Sequence, residues 1–278
     1  MTPQPLNAVS AIVLVSGEID KRWKSPKIPV VLQRTKPPTP DILDDIDTRE
    51  QNAKFSLPYP DPPFKLPPSG NLALHISLGK ILSEGRAGII FDCECSIPYG
   101  NDSNYRIPPL VVKLARALHS PDLTKEATAY ETMLCLQGSA IPRCYGFFQA
   151  RLLDYFDFGP MSILLLEKVG GRLVLGEPLP DGAESDLFDI CCDFAHLRIY
   201  HDDLRWANML SVLSPNQGGL PSLPSPFSGK TYAWRLIDFD RISRTATESF
   251  GSVRGYYHGY LHRVIDNVPF GSIVEPWE

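Results

Sequence analysis

Ile199-Tyr200-His201-Asp202-Asp203-Leu204-Arg205-Trp206-Ala207-Asn208-Met209-Leu210 is the stretch on which the reading of this chain turns, and Leu236-Ile237-Asp238-Phe239-Asp240 answers it further on. His201, Asp203 and Asn208 stand at the spacing H-x-D-x-x-x-x-N, which puts a carboxylate and, five residues later, an amide oxygen on one polar loop. A carboxylate so placed can accept the proton of a hydroxyl, and an amide oxygen suits a hard cation. The short apolar run before Asp238 predicts a buried strand that delivers a second carboxylate to the same metal. Taken alone, the loop is equally a turn capped by Asp and Asn. Followed by an apolar strand ending in Asp-Phe, it points to a phosphoryl-transfer site.

The spacing has a physical reason. A loose phosphoryl-transfer transition state needs its nucleophile in line and its charge neutralised, so the protein supplies a base, oxygen ligands for Mg²⁺ and cations near the phosphates. Mg²⁺ keeps part of its water, so one carboxylate and one amide suffice.

With 278 residues and 43% hydrophobic content, the chain can bury about three quarters of its unfolded surface and build one large domain or two lobes. A net charge of −5 and scattered Lys and Arg argue against a nucleic-acid partner. The longest apolar runs, such as Ala11–Val15, fall far short of the roughly 20 residues of a spanning helix. Ala8–Val15 has no basic leader and reads as a buried strand rather than a signal-peptide core. The six cysteines include Cys93-x-Cys95 and Cys191-Cys192. They lie too close in sequence to pair comfortably, lack the spacing of zinc knuckles, and read as reduced thiols. These features predict a soluble, intracellular protein, cytoplasmic or nuclear, in which the sequon Asn101-Asp102-Ser103 is idle.

Residues 1–70 hold about half of the 27 prolines. They read as a proline-rich N-terminal extension broken by two β-rich pieces, near Val9–Val15 and Ile28–Gln33, which pair with each other or add to a sheet edge. Asp41–Glu50 is acidic and predicts a surface turn or short helix. The main reading is a packed, irregular extension; the alternative is a proline-rich ligand for a partner's aromatic groove. Leu78–Phe91 reads as a hairpin with Gly85 and Gly88 where a backbone must approach something closely. Pro108–Ala115 is an apolar strand carrying Lys113, which shares a side with Val111 and Ala115. It either meets an anion or reaches out to water. Ser120–Gly138 predicts a helix carrying Glu126 and Glu131, and Ile141–Phe148 and Ser162–Gly171 predict two more strands. Ser185–Arg198 is a helix with Leu187, Ile190, Cys191, Phe194 and Leu197 on one face. Met209–Leu213 and Tyr232–Ile237 form a hairpin whose long connection, Ser214–Lys230, suits a mobile or partner-specific loop. Phe250–Val264 predicts a closing helix.

In this order the motifs resemble the protein kinase-like superfamily, as an atypical, fungal-type domain with features of small-molecule kinases. The catalytic loop has the form His-x-Asp-Leu-Arg-x-Ala-Asn, and Asp238-Phe239-Asp240 stands where the metal-binding Asp-Phe-Gly is found. Ser83, Gly85, Gly88 and Ile90 fall on the four positions of a Gly-rich loop, without its first Gly. Asp202 replaces the Arg that serves control by activation-loop phosphorylation, and Asp240 replaces Gly, as in many small-molecule kinases. The resemblance implies an α+β, two-lobed protein kinase-like fold with an antiparallel N-lobe sheet, one helix and a reduced, mostly helical C-lobe. It divides residues 71–278 into an N-lobe of about 71–166, a hinge of about 167–170 and a C-lobe of about 171–278.

The function implied is an ATP- and Mg²⁺-dependent phosphotransferase acting on a hydroxyl of a protein or small molecule. Asp203 would orient the acceptor, Arg205 would stabilise the transferring phosphoryl, and His201 would be a scaffold. Asn208 and Asp238 would hold Mg²⁺. Lys113 would grip phosphate, held by the helix Glu126, with Glu131 the competing candidate. Ser83, Gly85, Gly88 and Ile90 would line the nucleotide, and the main chain of Glu167 to Val169 would meet the adenine edge. The alternative is a pseudokinase, a nucleotide-binding or protein-interaction scaffold working through the proline-rich N-terminus or the 214–230 loop. It is favoured by the lost glycine and by the short stretch after Asp240, which holds no Ala-Pro-Glu.

Overall fold

Leu110, Val112 and Leu114 alternate with Val111, Lys113 and Ala115 along β5 (Leu110–Ala115) in the computed structural model, which describes residues 9–17, 29–37, 70–98, 107–116, 118–151, 160–174, 177–245 and 247–265. Five of the six residues of this strand are buried, so both of its faces are covered, as a near-continuous apolar run requires. Asp41–Glu50, the sequon at Asn101 and most of the proline-rich segment lie outside the described residues. By their contacts the described residues form two units: 9–128 with 143–168, and 129–142 with 169–265.

The first unit is a closed barrel. β1 (Val9–Ser16), β2 (Val30–Arg34), β3 (Leu72–Glu84), β4 (Gly88–Ser96), β6 (Cys144–Ala150) and β7 (Met161–Glu167) join β5 in the order β1-β2-β6-β7-β5-β4-β3. Alternate side chains of these strands, among them Ile12, Leu32, Leu74, Phe91, Val112, Phe148 and Ile163, meet in one apolar core. β1 closes the ring: it runs antiparallel to β2 from Ala11↔Gln33 to Leu14↔Val30 and parallel to β3 from Val9↔Leu72 to Ser16↔Ser77. Arg34 stitches the seam, donating from Nε to the Val9 carbonyl at 2.9 Å and from its terminal nitrogen to the Tyr145 carbonyl. That approach needs Gly146, whose φ is +146°, because a Cβ there would stand 2.7 Å from the guanidinium.

This architecture overturns the α+β, two-lobed protein kinase-like fold expected from the motifs, and the membership of the protein kinase-like superfamily with it. The reason lies in β1 and β2. Val9, Ile12, Leu14, Val30 and Leu32 are buried in the same core as the later strands, so these pieces complete a ring instead of decorating the edge of an open antiparallel sheet. The ring is mixed, through the parallel β1–β3 pair. Nor is the second unit mostly helical. Besides the end of α1 (Ser120–Thr132) it holds two α-helices, α2 (Ala183–His196) and α3 (Phe250–Ile265). Two small antiparallel sheets accompany them, β8 (Ile199–His201) with β11 (Ile242–Arg244) and β9 (Met209–Ser211) with β10 (Trp234–Leu236).

α2 buries Leu187, Ile190, Cys191 and Phe194 of the predicted stripe, with Leu197 buried just past its end, and α3 buries Val253, Tyr257 and Leu261 at four-residue spacing. The Phe194 and Tyr257 rings meet edge to face with centroids 6.3 Å apart. Arg235, fully buried, donates to the carbonyls of Gly138, Tyr232 and Trp234 and to the Ser222 hydroxyl.

The connection between β9 and β10 lies along α2. Asp186 accepts from the Ala233 N–H, Asp189 pairs with Lys230, and buried Asp193 accepts from the Ser225 and Tyr232 hydroxyls at 2.9 and 3.0 Å. Burial pushes the Asp193 carboxyl from 3.8 up to about 6, while those two hydrogen bonds pull the other way. The folded protein holds this proton more tightly than the unfolded chain. The stabilising contribution is therefore complete below pH 3.8 and is lost as pH rises through about 6. Asp193→Asn is expected to remove this decline from urea-denaturation midpoints measured across the window and to be the more stable protein above it. A pH profile identical to that of the wild type would contradict the assignment.

Candidate functional site

The polar loop is built on His201, the last residue of β8, which is fully buried. Its Nε2 lies 2.9 Å from the Ile237 carbonyl, which can only accept, and its Nδ1 receives the Asp203 N–H at 3.3 Å. Only the neutral ring with hydrogen on Nε2 satisfies both. Burial agrees with this, pushing the His201 pKa down against the nearby carboxylates of Asp238, Asp203 and Asp202. The His201 N–H donates to the Tyr257 hydroxyl, which donates on to the Ile199 carbonyl, both at 2.9 Å.

Asp203 and Asn208 are fixed to one another. The Asn208 amide nitrogen donates to the Asp203 carbonyl at 2.8 Å and to its carboxylate at 3.3 Å. Arg205 Nε stands 3.4 Å from the same carboxylate oxygen, and the Asp203 side chain is 15% exposed. The intervening residues Trp206–Asn208 form a 3-10 turn, and the Trp206 indole donates to the Val264 carbonyl at 2.6 Å. Ile237 joins this loop to the segment carrying Asp238, since its N–H donates to the Asn208 carbonyl at 3.1 Å while its own carbonyl takes His201.

Asp238 and Asp240 do not share one side of an extended segment. β10 stops at Leu236, and Phe239–Arg241 forms a 3-10 turn. The left-handed residue is Asp238, with φ 69° and ψ 73°; Asp240 is not among the residues of positive φ. Asp tolerates this conformation better than most residues, and such outliers gather at functional sites. Phe239 between them is fully buried, its ring against Tyr130, Phe194 and His201.

In the first unit, Lys113 Nζ lies 2.6 Å from Glu126 Oε2, with side chains 8% and 2% exposed. Register places Ile90 and Leu164 beside Lys113. Gly88 keeps clear of it; a Cβ there would meet the Leu114 carbonyl at 2.9 Å and the Lys113 chain at 3.5 Å. Glu131, the competing candidate, is exposed. Removing one charge strands the other in a dry site, so Lys113→Met or Glu126→Leu is expected to cost about 3–5 kcal/mol, and the double replacement clearly less than the sum. Urea unfolding of the four proteins measures the difference; additive losses would mean that the pair is not coupled.

The remaining predicted residues are placed as follows. Ser83 and Gly85 lie exposed at the β3–β4 turn. The Gly85 N–H is spent on the Gly88 carbonyl at 2.9 Å, and the Gly85 carbonyl accepts from Arg116. The Glu167 carboxylate is taken by the backbone N–H and guanidinium of Arg143, at 2.9 and 2.8 Å. Its own N–H donates to the Arg143 carbonyl, whereas Val169 makes no backbone hydrogen bond among the described residues. The supports that sequence reasoning missed are Tyr257, Ile237 and Arg143. Of these only Tyr257 left a signal, through its place in the Val253–Leu261 stripe.

Asn208 and Asp238 offer the donor types that suit Mg²⁺, an amide oxygen and a carboxylate. The amide nitrogen of Asn208 is spent on Asp203, which leaves the amide oxygen, a hard donor, for coordination. Among the described residues no three His, Cys, Asp or Glu side chains cluster for a metal, but a carboxylate and an amide completed by water and phosphate oxygens need no such cluster. No helix of the described residues is long and apolar enough to cross a membrane. Compared with known proteins, the chain matches no family model and no curated protein.

Proposed function

We propose that the protein is an ATP- and Mg²⁺-dependent phosphotransferase that moves the γ-phosphate of ATP to a hydroxyl of a protein or small molecule. The observation that carries this reading is the loop in which neutral His201 fixes the Asp203 main chain and Asn208 its carboxylate, with Asp238 following the Ile237 carbonyl that takes the His201 ring.

Asp203 takes the proton of the acceptor hydroxyl as the oxygen attacks, and its fixed position replaces orientational freedom that would otherwise be lost at the barrier. Arg205, which neutralises Asp203 at rest, turns to the transferring phosphoryl as charge builds there. Asn208 and Asp238 would hold Mg²⁺, which supplies charge neutralisation between the phosphates. In the first unit, Lys113 would be the cation that binds phosphate oxygen, its ammonium kept in place by Glu126. With the Gly85 N–H already committed in its turn, phosphate recognition falls more heavily on Lys113 than a cradle of loop amides would require.

A thermal-shift titration with ATP, with and without Mg²⁺, followed by an ATPase assay, tests the reading. Stabilisation that needs Mg²⁺ together with turnover supports it. Binding without turnover would replace it with a nucleotide-binding scaffold, and no shift under either condition would remove the nucleotide altogether.

A further inference from the structure

The barrel holds two nucleophiles for which phosphoryl chemistry has no use. Cys93 and Cys95 stand two residues apart on β4, so both side chains point to one face, the face packed on the apolar core. All six cysteines carry thiols, and the sulfurs of this pair lie 3.8 Å apart, with both residues half-buried. The Cys93 thiol donates to the Leu110 carbonyl at 3.2 Å. Residues two apart on a strand lie about 6.6 Å apart between Cα atoms, at the upper end of the roughly 4.4–6.8 Å that a disulfide spans. The Cβ atoms of such a pair stand about as far apart, beyond the roughly 3.5–4.5 Å of a disulfide, so closure needs the strand to pucker at Glu94 and leaves the bond stretched.

We propose that Cys93 and Cys95 are a reversible dithiol–disulfide couple, oxidised by low-molecular-mass disulfides of the glutathione type. Cys95 acts first, because the hydrogen bond to Cys95, burial and the Asp92 carboxylate push the Cys93 thiol far up and its proton is committed to Leu110. The Cys95 thiol gives up its proton, and its sulfur attacks one sulfur of the reagent. The reagent S–S bond breaks, and the departing thiolate takes up a proton. Cys93 then yields its proton and attacks Cys95, expelling the second thiol. Two protein thiols are oxidised to one disulfide and one glutathione disulfide is reduced to two thiols. A stretched bond is readily reduced, which makes the couple reversible instead of structural.

The tryptic peptide Ala87–Arg106 contains these two cysteines and no other, so its mass reads the state of the pair directly. Full-length protein is incubated with glutathione disulfide, checked by circular dichroism to have stayed folded, alkylated and digested. The expected peptide is unalkylated and two hydrogens lighter, and dithiothreitol treatment before alkylation restores two alkyl groups. A peptide still doubly alkylated after prolonged oxidation, or one carrying only glutathione, overturns the proposal. Folded Cys93→Ser is expected to accumulate glutathione on Cys95, and no adduct there would overturn the attack by Cys95. The wild-type measurement decides the matter even where the variant does not fold.

Discussion

Replacing Asp203 with Asn is expected to lower turnover by roughly 10²–10⁴-fold while leaving ATP binding nearly unchanged. The change is close to isosteric, and the partners of the carboxylate dictate how the new side chain settles. Its oxygen takes the place of the carboxylate oxygen facing the Asn208 amide and Arg205, and its NH₂ then faces the acceptor. A donor stands where a proton acceptor is needed. The fold of the loop is spared, because the His201 and Asn208 contacts to Asp203 also run through its main chain. Single-turnover rates and an ATP thermal shift on the same preparation separate chemistry from binding. An equal loss of ATP affinity would show that the carboxylate acts on the nucleotide and that its role is misassigned.

Asp238→Asn is expected to abolish metal-dependent nucleotide binding, whereas Asp240→Gly weakens it by less than tenfold, about 1.4 kcal/mol. The backbone makes this contrast clean. Asp238 is left-handed, a conformation Asn accepts as well as Asp, so the substitution removes the charge without straining the backbone. Glycine at position 240 relieves nothing, since the positive φ lies two residues earlier. Titrating Mg²⁺ into both variants in saturating ATP decides between the two carboxylates. If Asp240→Gly is the more damaging change, the metal site is built on Asp240 and the motif is displaced by two residues.

The strands and helices were legible wherever a local pattern reports burial. Leu110–Ala115 has the composition of a strand covered on both faces, and the α2 stripe from Leu187 to Leu197 is a helix by spacing alone. One cation in an apolar strand left Lys113 to an anion or to water, and its pairing with Glu126 was expected only from the resemblance. Closure of the ring was not legible. Val9–Ser16 reads the same as an edge strand or as an inner one, and its parallel register with Leu72–Ser77 spans a long interval that leaves no local mark. The turn at Asp238 was hidden for a related reason. Leu236-Ile237 looks like strand, yet the hydrogen bonds of Ile237 go to Asn208 and His201. The 214–230 connection was read from its prolines and glycines, while its attachment depends on Asp186, Asp189 and Asp193, three acids on α2 that composition alone leaves to the solvent.

The β2–β6 seam also sets a timetable. Arg34 pairs with Phe148, about 114 residues later in the chain, so the ring stays open until the far strand has left the ribosome. At roughly 5–20 residues per second this is a wait of about 6–23 s. During that time the nascent β1–β2 hairpin offers Ile12, Leu14 and Leu32 to whatever is near, with unpaired backbone along its edges. Exposure of those residues is governed by the pace of translation and by any chaperone that occupies the edge, while the stability of the finished barrel enters only after its last strand arrives.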